Sequence, residues 1–171
     1  VIELTTAMWE RPELEEVKSL LWGKTYEGPA YECYIKETKN NSMAYIGREN
    51  PIFFPDRTMP EECGGSPDAA NILEDGTVDY GAEIKCPKNP AYHFRRLNWK
   101  SQWDVKENYL SCYTQIQDLI RINNAVGWDF VSYDDRQLSA SKKKVIIEIK
   151  PDQKFIDNLE LKLHLAVKAK Y

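Results

Sequence analysis

The chain has 171 residues, enough for one domain with a core of its own. With 42% hydrophobic and 29% charged residues, and no apolar run of membrane-spanning length, it reads as neither a disordered tail nor a membrane-embedded chain. A formal net charge of −4 argues against indiscriminate nucleic-acid binding, yet leaves room for a DNA enzyme in which acidic metal ligands stand beside a local basic patch.

Along the chain, residues 13–38 read as helix, with Leu14, Val17, Leu20 and Leu21 at helical spacing. Gly23, Gly28 and Pro29 predict two helices there, or a single bent one. Short strands follow at 43–47 and 52–54, then a loop, "PDRTMPEECGG". Residues 66–73 and 76–87 read as the arms of a hairpin turning at Glu74-Asp75-Gly76. A charged, aromatic loop leads into a helix over 104–122. Strands at 127–133 and 144–149 follow, and Pro151-Asp152 opens a last helix with Phe155, Ile156, Leu159, Leu163 and Ala166 on one face. No repeat or linker divides the order, so residues 1–171 are expected to form a single α/β or α+β domain.

Cys33, Cys63, Cys86 and Cys112 lie in different segments with no CxxC spacing, which disfavours zinc or iron–sulfur ligation. No secretory leader is read at the start, so idle thiols in a reducing, cytoplasmic setting are expected.

The informative stretch is "GAEIKCP", residues 81–87. Glu83 and Lys85 are two apart and so share one face of a strand. Pairing of the hairpin arms brings Asp68 beside Glu83. Two neighbouring carboxylates repel unless a cation intervenes, so the grouping favours Mg²⁺ or Mn²⁺, with Lys85 next to the ion to orient a water or stabilise charge on a phosphate. The alternative is an ordinary surface ion pair worth little. Gln115 falls between Cys112 and Leu119 on the apolar side of its helix, as a site residue or a satisfied core amide. Glu27, among aromatics, is a third carboxylate or a surface acid.

Four segments, "WGKTYEGPAYECY", "SPDAANILEDGTVDYGAEIKCP", "YLSCYTQIQ" and "WDFVSYDDR", occur in the order found in the phage lambda exonuclease family, and the chain resembles these phage-type alkaline exonucleases of the PD-(D/E)XK superfamily. The resemblance implies a restriction-endonuclease-like α/β core, a central mixed sheet flanked by helices. It implies metal binding by Asp68, Glu83 and the Ile84 carbonyl, with Glu27 serving a second ion or its waters. Lys85 would activate the attacking water and Gln115 would hold that lysine or the water. The implied activity is Mg²⁺-dependent hydrolysis of double-stranded DNA from its ends, 5′ to 3′. The 3′ tails left behind would pass to a single-strand annealing protein in phage or prophage recombination. Family members form ring-shaped trimers around DNA, which implies a homo-oligomer. The family's N-terminal element, whose arginine holds the substrate 5′-phosphate, has no counterpart here beyond Thr5-Thr6-Ala7.

The segment "KNPAYHFRRLNWKSQW" interleaves Arg95, Arg96 and Lys100 with aromatic rings, the mixture expected of a DNA contact, while His93 reads as structural. The rival readings are another superfamily nuclease, RecB-like or Cas4-like, and a non-catalytic DNA-binding module.

Overall fold

The structure, a computed structural model, describes residues 18–47 and 51–169. Leu14, Val17 and Thr5-Thr6-Ala7 lie outside those residues.

Helix α1 spans Lys18–Thr38 as a single helix with Pro29 inside it, so the glycines and the proline do not divide it. Two short strands follow, β1 (Ala44–Tyr45) and β2 (Phe54–Pro55). The segment expected to be all loop ends in β3 (Gly64–Gly65), which pairs back onto β2. The hairpin is present as β4 (Ala69–Ile72) and β5 (Val78–Lys85), antiparallel, with Ala69 opposite Ala82 and a bulge at Asn71/Ile72. Its turn uses Gly76 at φ 82°, a left-handed backbone that favours glycine.

The segment after β5 is helical where a loop is expected. Asn89 caps α2 (Pro90–Arg96) by accepting from the Ala91 N–H at 3.0 Å, and Pro90 takes the first position, where no N–H is needed. The expected helix over 104–122 is two helices, α3 (Gln102–Asn108) and α4 (Leu110–Asn123). The break is at Tyr109, whose φ of −148° and ψ of 58° are not helical. Strand β6 (Gly127–Tyr133), a 3₁₀ turn at Ala140–Lys142, β7 (Lys144–Ile149) and α5 (Gln153–Lys168) complete the chain. Of the expected apolar face of α5, only Ile156 is buried.

The main sheet has order β1-β4-β5-β6-β7. It is mixed, since β5 runs parallel to β6 while β4 and β7 pair antiparallel. A parallel pair needs a crossover, and α2, α3 and α4 supply it. β6 is buried at every position, because both faces of the sheet are covered. Tyr113, Ile116 and Ile120 of α4 pack with Trp128, Phe130, Ile147 and Ile149 on one face. Ala30 and Tyr34 of α1 pack with Ala82, Ile84 and Val131 on the other. Gly81 is required by close approach, because a Cβ there would run into the Trp128 ring.

Candidate active site

The register of the hairpin places the reactive candidates. Ala69 faces Ala82, so the next pair outward sets Asp68 opposite Glu83, at the mouth where the arms separate. Asp68 is held twice. Its carbonyl accepts from the N–H groups of Ile46 (3.0 Å) and Gly47 (3.3 Å) beyond β1. Its Oδ2 accepts the Ile84 N–H at 2.6 Å. Alternation along β5 sends Ile84 into the core under α1 and turns Glu83 and Lys85 toward α4. Lys85 Nζ donates to Glu83 Oε1 and, at 3.3 Å, to Gln115 Oε1 of α4. On α1, Glu27 accepts from Tyr45 Oη at 3.0 Å. Glu27, Asp68, Glu83, Ile84, Lys85 and Gln115 all line one cleft of about 570 Å³.

Electrostatically, burial and mutual repulsion both act against the carboxylates of this cleft. Glu83 is 1% exposed, and burial raises its pKa, with the Asp68 charge acting in the same direction and Lys85 and Gln115 opposing. Burial also raises the pKa of Glu27, again helped by Asp68. Burial would lower the Lys85 pKa, but the Glu83 carboxylate outweighs it and the ammonium is held charged. Glu83 Oε2 is buried with no hydrogen-bond partner among the described residues. A buried carboxylate oxygen without a donor is costly and points to a partner that the protein itself does not supply. The donor set is all oxygen, as hard divalent ions require. It is not a closed cage: among the described residues no three His, Cys, Asp or Glu side chains come together as a metal cluster. Two carboxylates and the backbone at Ile84 would leave the remaining positions of an ion to water and substrate.

The cysteines near the cleft are held as thiols. Burial pushes the thiols of Cys86 and Cys112 up to about 12, so both stay protonated at neutral pH.

No protein-family model matches the sequence, and no curated protein matches it. Solved structures do. The chain superposes on the crystal structure of an alkaline exonuclease, LHK-Exo, from Laribacter hongkongensis with a TM-score of 0.70 and 24% identity, covering 90% of this chain and 69% of that one. On LHK-Exo in complex with dAMP the TM-score is 0.68 and the identity 25%, over 89% of this chain and 68% of that one. The chain has the fold of an alkaline exonuclease. That is the fold the four ordered motifs point to.

Within this exonuclease fold the three basic residues singled out in the sequence have different settings. Arg95 is exposed on α2. Arg96 is 7% exposed: its guanidinium packs over Tyr109, Phe130 and Trp99 at 4.8, 5.6 and 5.8 Å and donates to Ser132 Oγ at 3.1 Å. It is a wall of the cleft rather than a mobile loop cation. Lys100 is exposed in the turn before α3, and its N–H donates to Asp104 at 2.9 Å. His93 is buried between Ser132 Oγ (3.0 Å) and the Lys142 carbonyl (2.7 Å), as its structural reading requires.

Gln115 is exposed at the cleft, while the satisfied core glutamine of this helix is Gln117, which donates to the Lys150 carbonyl at 2.9 Å and accepts from the Asp152 N–H at 3.0 Å.

Arg136 has a structural role that no reading of the sequence assigned. It forks onto Asp134 (2.7 and 2.9 Å) and donates to the carbonyls of Lys88 (3.0 Å) and Pro87 (3.2 Å), just past β5. The same guanidinium lies 4.5 Å from the Trp22 ring centroid on α1. It thereby ties the end of the strand bearing Lys85 to the helix bearing Glu27. The signal was the D-x-R spacing after β6, which places the arginine fork over its own carboxylate.

Proposed function

We propose that this protein is a divalent-metal-dependent deoxyribonuclease, an exonuclease that shortens double-stranded DNA from its ends. The observation that carries the reading is the juxtaposition of Asp68, Glu83, Lys85 and Gln115 in one cleft, with Glu83 Oε2 left without a donor, on the fold of an alkaline exonuclease. LHK-Exo has been crystallised with dAMP, a deoxynucleoside monophosphate, the kind of product such an enzyme releases.

Asp68 and Glu83, with the Ile84 carbonyl, would hold Mg²⁺ or Mn²⁺, and Glu27 would take waters at its edge. When bound there, such an ion would supply Lewis acidity toward a water and the phosphate. The chain's own residues do the rest. Lys85, charged and braced by Glu83 and Gln115, orients the attacking water and faces the phosphate oxygens. Gln115 keeps the ammonium from swinging away. The Ile84 N–H holds the Asp68 carboxylate in place ahead of the reaction. Arg95 would contact the DNA backbone, with Lys100 on the outer approach, while the expected contact by Arg96 is reduced to its place in the cleft wall, since its guanidinium is buried over Tyr109, Phe130 and Trp99. The 5′-to-3′ direction, the delivery of 3′ tails to a single-strand annealing protein, assembly as a ring of copies and a phage or prophage setting in the bacterial cytoplasm belong to the same proposal. They follow from the motif resemblance.

The test is cleavage of duplexes labelled at either end, with Mg²⁺ and with excess chelator. Mononucleotide release that stops in chelator is expected. Asp68→Asn should abolish it with the fold intact by circular dichroism, and Lys85→Ala should lower single-turnover cleavage of bound DNA by about 10²–10⁴-fold. Undiminished cleavage in chelator, or by Asp68→Asn, refutes the metal mechanism.

A further inference from the structure

A second and larger cleft, of about 820 Å³, lies beside the carboxylates and shares a wall with their cleft through Cys86, Pro87, Arg96 and Tyr109. Its outer side is α2 and the residues just before it. Tyr92 and Arg95 are three apart and face the same side of that helix, while His93 and Arg96 face inward and are buried. Tyr92 is 53% exposed and stacks on no other ring among the described residues. Lys88 and Arg95 are exposed, and neither forms an ion pair among the described residues. The cleft thus presents a free aromatic face between two free cations, in a chain whose net charge is −4.

We infer that this cleft is a subsite for single-stranded DNA, which takes the nucleotides adjoining the reacting phosphate. A base stacks on Tyr92, and Lys88 and Arg95 neutralise the flanking phosphates. The inference rests on the nuclease reading for the identity of the polymer and adds a recognition element to it. Three observations select the occupant. The cleft adjoins the catalytic one, with Cys86, Pro87, Arg96 and Tyr109 lining both, so a strand leaving the carboxylates past Pro87 would meet it. Its free charges are positive. Its exposed ring offers a stacking face for an unstacked base, the combination of ring and cations that single-strand sites use.

The experiment is fluorescence anisotropy of a labelled hexathymidylate at several salt concentrations in Ca²⁺, for the wild-type chain, Tyr92→Phe, Tyr92→Ala and Arg95→Ala. Cleavage of end-labelled duplex by the wild-type chain in Mg²⁺ is measured alongside. Tyr92→Ala should weaken binding by about 5- to 150-fold with an unchanged salt slope, and Tyr92→Phe should bind like the wild type. Arg95→Ala should flatten the salt slope by about 0.7. Hexathymidylate binding by Tyr92→Ala within twofold of wild type, or no wild-type binding at all, overturns the subsite. The two failures are distinguishable. Duplex cleavage with no Tyr92 dependence of binding removes the subsite and leaves the nuclease. Tyr92-dependent binding without any cleavage removes the nuclease and leaves a single-strand binding cleft. Since Tyr92 is exposed, its truncation spares the core, and Arg95→Ala reads the same cleft independently.

Discussion

At the scale of single residues, the polar groups behind the site form a directed chain. Arg96 donates to Ser132 Oγ, the Ser132 hydroxyl donates to His93 Nδ1, and His93 Nε2–H donates to the Lys142 carbonyl, a pattern that fits a neutral imidazole. Burial lowers the His93 pKa, Arg96 and Arg136 add to that, and Asp134 and the Lys142 carbonyl oppose it. The unfolded chain therefore takes up this proton first. The stability contribution is complete above the ordinary histidine value near 6.5 and declines as pH falls below it. Urea unfolding between pH 8 and pH 5 should show wild-type stability falling with pH, and a flatter dependence for His93→Gln. Parallel curves for the two proteins count against a neutral, buried His93. The glutamines show the limit of the sequence at this scale. Gln115 and Gln117 are two apart on one helix, and apolar spacing alone assigned the inward side to Gln115. Cys112 and Leu119 are buried as that spacing requires, yet Gln115 between them opens onto the cleft and Gln117 is the one buried.

Among the elements, the residues between β2 and β3 have almost no regular structure, yet they are fixed by one carboxylate. Asp56 Oδ1 accepts from the Thr58 N–H (2.7 Å), the Thr58 hydroxyl (2.9 Å) and the Met59 N–H (3.0 Å), and Oδ2 pairs with Arg121 of α4. Burial works against the charge, but Arg121 and the Thr58 and Met59 donors hold the Asp56 pKa down to about 2. Asp56→Ala should cost about 3–5 kcal/mol by urea unfolding, since it leaves the buried Arg121 short of a partner. Asp56→Ala with Arg121→Met should recover part of that loss. The depressed value makes the contribution complete above the ordinary carboxylate range and lost as pH falls from about 4 to about 2. Elements of this kind were not legible in the sequence, because they rest on distant polar partners. The hairpin was legible, because strand alternation and a glycine turn are local signals. So were β6, β7 and the start of α5, where Asp152 caps by accepting from the Phe155 N–H at 3.2 Å. The division of α3 from α4 was hidden, since Val105, Tyr109, Cys112 and Ile116 keep helical spacing straight through the break. Helix α2 was hidden because its buried face is made of His93 and Arg96, which no hydrophobic period reveals.

For the molecule as a whole, the sheet gathers charge into the carboxylate cleft at the stability's expense. The hairpin sets Asp68 against Glu83, α1 adds Glu27, and Lys85 meets only part of the repulsion. A divalent ion that binds this cleft binds the native state and not the unfolded chain, so it must raise the melting temperature. At a free concentration 100 times its dissociation constant the gain is about 2.7 kcal/mol. For a domain of this length that corresponds to roughly 5–10 °C. Scanning calorimetry of the chelator-treated protein against the same protein in Mg²⁺ or Mn²⁺ measures it without any substrate. Asp68→Asn should remove most of the shift, because it takes away one carboxylate while the Ile84 N–H keeps an oxygen acceptor at that position. Lys85→Met should retain the shift, since the lysine holds no ion and only competes with it for Glu83 Oε1. A shift of equal size in the wild-type chain and in Asp68→Asn would place the ion elsewhere, and a wild-type melting temperature indifferent to both metals would remove the metal from the cleft altogether.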